Sequence, residues 1–236
     1  MRRVAALLLL ALTLTGCQTT AEESAKLEKS AKHVTLAQKG LSITRQSTTV
    51  KVTATAVLKG SEGAAAVVTL RNASSRPLRE VPIAITVRDT HGRTLFQNNA
   101  PGLEAALTLL AALPAHGSVT WVDDQISKSG EPASVSALAG VTTAASGPEP
   151  RIEIGGLRLN EESSSEVAGT VRNRSKVPQH KLVVYVIARH AGRIVAAGRA
   201  VLPEVAAGAS VSFQTFLVGS PNGAKLQASA PPTTFG

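Results

Sequence analysis

The chain has 236 residues, 43% hydrophobic and 17% charged, which argues against an intrinsically disordered chain and leaves room for one or two packed domains. Aromatics are only 3%, namely Phe96, Trp121, Tyr185, Phe213, Phe216 and Phe235, so a core has to be built from Val, Ile, Leu and Ala, a mixture that favours strands. The formal charge is +9, or +7 without Arg2 and Arg3; the cations are scattered with no run of five, as on a solvated basic surface, and no stacking platforms accompany them as in a nucleic-acid groove.

The first element in chain order is MRRVAALLLLALTLTGC, a charged start followed by an apolar run from Val4 to Thr15. That run is too short for a permanent span, which needs roughly 20 apolar residues, and matches the core of a cleavable signal peptide over residues 1–16. Its ending, Leu14-Thr15-Gly16-Cys17, resembles the lipobox of bacterial lipoproteins. The resemblance implies cleavage before Cys17, a diacylglycerol on its thiol and acylation of the new amino group. Two or three fatty chains at one point hold a protein stably on a membrane where one does not. The predicted localisation is therefore the cell envelope: the outer membrane facing the periplasm if the source is Gram-negative, otherwise the outer face of the plasma membrane. Cys17 is the only cysteine, so the domains fold without internal disulfides.

Residues 17–40 are rich in Ala, Ser, Thr, Lys and Glu and read as a lipidated tether. From residue 41 to 131 the pattern is of period two, the signature of strands. TTVKVTATAVL alternates, AAAVVTLRN follows, and VPIAITVRD places Val81, Ile83, Ile85 and Val87 on one face. The other face, with Pro82, Ala84, Thr86 and Arg88, suits an edge or a solvent side, and Gly92 a tight hairpin turn. QNNAPGLEAALTLLAAL reads as a loop insertion or helical turn, and GSVTWVDDQI as a closing strand ending in the polar pair Asp123-Asp124. Residues 132–150, small and polar with three prolines, read as a linker that has room for a strand inside it, and 151–236 as a second domain.

The second domain repeats the landmarks of the first. Arg71-Asn72-x-Ser74 with Pro77 matches Arg172-Asn173-x-Ser175 with Pro178, Gly92-Arg93 matches Gly192-Arg193, and Ser118-Val119-Thr120-Trp121 matches Ser210-Val211-Ser212-Phe213. Leu113-Pro114 is placed over Leu202-Pro203. From turn glycine to closing aromatic the first copy runs 29 residues and the second 21, an insertion of 8 in the first. Each Asn stands at a strand end, where its side chain can bond backbone two residues on and turn the chain. The prediction is an all-β chain of two immunoglobulin-like β-sandwich domains from an internal duplication. The order of strand, Asn-x-Ser, Val-rich strand, turn Gly and closing strand resembles the FxLYD-type domains of bacterial envelope lipoproteins, a resemblance that implies the fold and no catalytic residue.

No nucleophile elbow, phosphate loop or metal-ligand spacing occurs, and His33, His91, His116, His180 and His190 fall at no ligand interval. The chain is therefore read as no enzyme and as using no cofactor. The expected partners are the membrane, through the lipid on Cys17, and an envelope protein met by surface or edge-strand contacts. An alternative is an anionic envelope polymer or lipid bound by Arg71, Arg76, Arg79, Arg172, Arg174, Lys176 and Lys181.

Overall fold

The computed structural model describes residues 39–127, 130–160 and 163–236. The predicted signal peptide and almost all of the predicted tether lie outside them. Residues 40–236 form one compact unit, and it is all-β. The first copy contains β1 (Val50–Lys59), β2 (Gly63–Asn72), β3 (Leu78–Asp89), β4 (Thr94–Gln97), a 3-10 turn (Ala105–Leu107), β5 (Leu109–Leu113), β6 (Ser118–Ser127), β7 (Pro132–Ala139) and β8 (Thr143–Ala144). The second contains β9 (Ile152–Leu159), β10 (Glu166–Asn173), β11 (Gln179–His190), β12 (Arg193–Val205), β13 (Ser210–Phe216), β14 (Val218–Gly219) and β15 (Lys225–Ser229).

Each copy is a sandwich of two antiparallel sheets. In the first, β1-β2-β6 faces a five-stranded sheet in which β3 pairs with β4 and β5 on one side and with β7 and β8 on the other. In the second, β9-β10-β13 faces β14-β12-β11-β15. Val81, Ile83, Ile85 and Val87 all point into the first core, as the alternation predicts.

Three expectations are corrected. The segment 132–150 is not simply a linker: β7 pairs with β3 from Ile83↔Ala139 to Asp89↔Pro132, just as β15 pairs with β11 in the second copy. Its buried contacts are made by Val135 and Ala139, small enough for the strand to look like linker in composition. β3 is the central strand of its sheet and no edge, while the face that carries Pro82, Ala84, Thr86 and Arg88 is the half-buried to exposed one. Pro82 is tolerated because it falls between the β7 ladder, which ends at Ala139, and the β8 ladder, which begins at Thr143, so its missing N–H breaks no ladder bond. Finally, the residues that occupy the place of Leu113-Pro114 are Val205-Ala206, not Leu202-Pro203.

The repeated Asn motif shows that last register directly. Asn72 Nδ2 donates to the carbonyls of Arg76 (2.8 Å), Leu113 and Pro114, while its Oδ1 accepts from Ser74 N (2.8 Å) and Ser74 Oγ (2.7 Å). Asn173 Nδ2 donates to Val177 (2.8 Å), Val205 and Ala206, and Oδ1 accepts from Ser175 N (3.0 Å) and Ser175 Oγ (2.7 Å). Both side chains are fully buried. The Asn therefore makes the predicted turn, and it also clamps that turn to the start of the loop leading to the closing strand. Only an amide has donors and an acceptor on one short side chain.

The insertion of the first copy lies between β4 and β5, where the second copy has the single continuous strand β12. Buried Asn98 restores the bonds lost at the break: Ile85 N donates to its Oδ1 at 2.8 Å, and its Nδ2 donates to the carbonyls of Ile83 and Leu107, both at 2.8 Å. Trp121 Nε1 donates to Ala106 O in the same insertion at 3.0 Å.

The two copies pack together through sheets β1-β2-β6 and β14-β12-β11-β15. β11 is buried on both faces. Leu182, Val184, Val186 and Ala188 enter the core of the second copy, whereas Val183, Tyr185, Ile187 and, from β12, Ala197 join the core cluster of the first. A strand covered on both sides needs an unbroken apolar run, and LVVYVIA is that run.

Candidate functional site

Leu14, Thr15, Gly16 and Cys17, the predicted lipidation motif, lie outside the described residues. The seven cations of the alternative reading fall in different parts of the fold. Arg71 is on β2 and Arg172 on β10; the sheet β14-β12-β11-β15 lies between their two layers, and stacked sheets are about 10 Å apart. Arg76 and Lys176 stand in the equivalent turns after β2 and β10. Arg79 is paired with Glu80 at 3.4 Å, and Arg174 Nε with Glu153 Oε2 at 2.7 Å. The Arg174 guanidinium holds the Glu153 carboxyl below its ordinary range. Lys181 and His180 instead line a cleft between the copies, opposite Glu80, Glu104, Leu109 and Ala111. Glu80 and Lys181 hold equivalent positions and share a left-handed backbone, with φ of 49° and 50°.

Beside that cleft is a polar cluster of which the sequence reading noted only the pair Asp123-Asp124. Arg199 on β12 donates from its backbone N to Asp124 Oδ2 (2.9 Å), from Nε to Asp124 Oδ1 (3.1 Å) and from Nη2 to Glu104 Oε2 (3.2 Å). Its side chain is 3% exposed and that of Asp124 is 15% exposed. One cation of the second copy is thus held by a strand and by the inserted loop of the first. Nη1 of Arg199 is buried without a partner, as is Oδ2 of the neighbouring Asp123, whose Oδ1 accepts from Gln125 N at 3.0 Å. Burial pushes the Asp123 carboxyl up to about 6, and the adjacent Asp124 adds to the rise. Burial likewise holds the Tyr185 hydroxyl protonated, well above its ordinary value. The reading of Asp123-Asp124 as a polar strand end is thus corrected: both residues lie inside β6, Asp123 is buried, and Asp124 holds Arg199 of the other copy. A lone Arg in the small-residue run AAGRAV and two acids in an otherwise apolar strand were the available signals.

The cluster joins the copies through charge: Arg199 is held by the carboxylates of Asp124 and Glu104, and Glu104 also lines the cleft with Glu80, His180 and Lys181. Among the described residues no three His, Cys, Asp or Glu side chains could hold a metal ion together, and no helix is long and apolar enough to cross a membrane. His91 sits in the β3–β4 turn, and His190 Nδ1 lies 3.3 Å from Gly223 O.

Fold and site define a class, an all-β protein of two duplicated β-sandwiches joined through a shared core and a buried ion-pair cluster. No protein-family model matches the chain, and no curated protein matches it.

Proposed function

We propose that this is a non-catalytic, lipid-anchored cell-envelope protein whose paired sandwiches serve as a protein-interaction or assembly module. The observation that carries the reading is Leu14-Thr15-Gly16-Cys17 at the end of a short signal-type apolar run. The duplicated fold supports it: the two copies are tied by Arg199, so a partner meets one body with several open sheet edges, β9 and β13 among them, and edge strands bind partners by β-augmentation. Polymer binding through convergent cations is less favoured, because Arg79 and Arg174 are already paired and Arg71 and Arg172 belong to separated layers.

The test is the intact mass of protein isolated from its native membrane, beside Cys17→Ala. The expected mass lacks residues 1–16 and carries two or three acyl chains, absent from the variant; an unacylated wild-type mass overturns the anchor. Crosslinking in intact cells then asks for a protein partner.

A further inference from the structure

The two copies pack front to back. The outer face of β1-β2-β6 in the first lies on the outer face of β11 and β12 in the second, so the copies use different faces, as in a heterologous contact that does not close on itself. One face of each kind is left over: that of β3 and β7 in the first copy, and that of β9-β10-β13 in the second. Each carries an exposed large apolar side chain. Leu138, opposite Ala84 on β3, is 48% exposed on the first, and Phe216, opposite Glu166 on β10, is 66% exposed on the second.

The internal contact shows what each would meet. Ser118 and Thr120 of β6 face Tyr185, Ile187, Gln227 and Ser229 across a gap, and Asp124 holds Arg199, the cross-strand neighbour of Tyr185. By register, Ser212 has the place of Thr120 and Phe216 that of Asp124. Ala84, Ser136 and Leu138 likewise have the places of Tyr185, Gln227 and Ser229. The same packing repeated between chains sets Leu138 against Ser212 and Phe216 beside Ala84. Sizes trade in both pairs: Thr120 with Ser229 becomes Ser212 with Leu138, and Asp124 with Tyr185 becomes Phe216 with Ala84. Ser212 also belongs to a shallow groove with Ala168, Gly169 and Thr170 above Phe213, small residues that leave space for a leucine. Ile43 lies on the first face near Pro82, 3.4 Å from where a Cβ on Gly140 would stand, and leaves Leu138 exposed.

From this match we infer that the leftover faces bind a second copy of this chain, the first sandwich of one chain stacking on the second sandwich of the next as the copies stack within it. The inference rests on the reading of the paired sandwiches as an assembly module, whose partner it names, and is independent of lipid on Cys17. A contact of this kind extends from chain to chain.

The experiment uses full-length chains in intact cells, one with Ser136→Cys and one with Ser212→Cys, each with its own tag, treated with a short membrane-permeant bismaleimide. Wild type, with Cys17 alone, sets the background. The expected result is a product carrying both tags only where both chains are made, and a ladder from a chain with both cysteines. Adding Phe216→Asp should reduce either about tenfold, because it buries a carboxylate against Ala84; Leu138→Asp should do the same, and both replace exposed side chains that the fold does not need. Products from either chain alone, as from a two-fold contact, products indifferent to both aspartates, or none above background overturn the inference. Where the 136–212 product is absent, the wild-type crosslinking proposed above separates the two readings: another protein captured there defeats the stacking alone, and no protein captured defeats the assembly module with it.

Discussion

Asp123→Asn is expected to stabilise the protein at neutral pH and to do little in acid. Asp123 is a buried carboxyl whose Oδ2 has no partner and whose protonation is pushed from 3.8 up to about 6. The folded state then holds this proton more tightly than the unfolded chain. The contribution is greatest below 3.8, declines as pH rises through the window between 3.8 and 6, and is gone above it, where the folded state carries a buried, ill-solvated charge. The full swing is about 3 kcal/mol, since each tenfold change in proton affinity is worth about 1.36 kcal/mol. Asparagine resembles the protonated acid and keeps an oxygen for Gln125 N. Urea unfolding of wild type and variant from pH 3.5 to 7.5 should give a stability difference that grows with pH towards about 3 kcal/mol in the variant's favour. A difference that stays constant across that range would refute the assignment of a desolvated, titrating Asp123.

Arg199→Ala should cost about 3–5 kcal/mol in the same assay, because it strands the buried Asp124 carboxylate; Arg199→Met with Asp124→Leu should recover much of that loss, and a double variant as unstable as the single one would argue against the ion pair as its cause. Asn72→Ala and Asn173→Ala should each lower stability by about 1–3 kcal/mol for every buried carbonyl left without a donor, and Asn72→Asp, which keeps the shape but loses the donor, should not rescue. Equal stability of Asn72→Asp and wild type would mean that the bonds to Leu113 and Pro114 contribute nothing.

Much of the fold was legible because strand periodicity is a local property. VPIAITVRD carries its buried face at every second residue, and the repeated Arg-Asn-x-Ser marked the same turn twice because only Asn can bond backbone on both sides of it. The same local reading left β7 undecided between linker and strand. Its alternation is carried by Ala and Ser, and whether such a strand pairs or hangs as a linker depends on β3, more than forty residues earlier in the chain at each pairing. Pro82 misled for a related reason: a proline excludes a strand from a ladder only where a ladder bond is due, and the gap between β7 and β8 appears only once both have docked.

The candidate site divides in the same way. The resemblance of Leu14-Thr15-Gly16-Cys17 to a lipobox, on which the proposed anchor rests, lies in consecutive residues and needs no fold to be noticed. Arg199, Asp124 and Glu104 are separated in sequence by as many as 95 residues, and nothing local says that a lone arginine in β12 meets the inserted loop of the other copy.

By itself the sequence determined an all-β chain, its duplication and its turns, because each depends on residues within a few positions of one another. The tertiary structure alone decided that the two sandwiches share a core across β11 and that Asp123 is buried beside an ion pair. Burial and charge pairing are properties of what comes to lie opposite a residue, and that partner is chosen by packing across the whole chain.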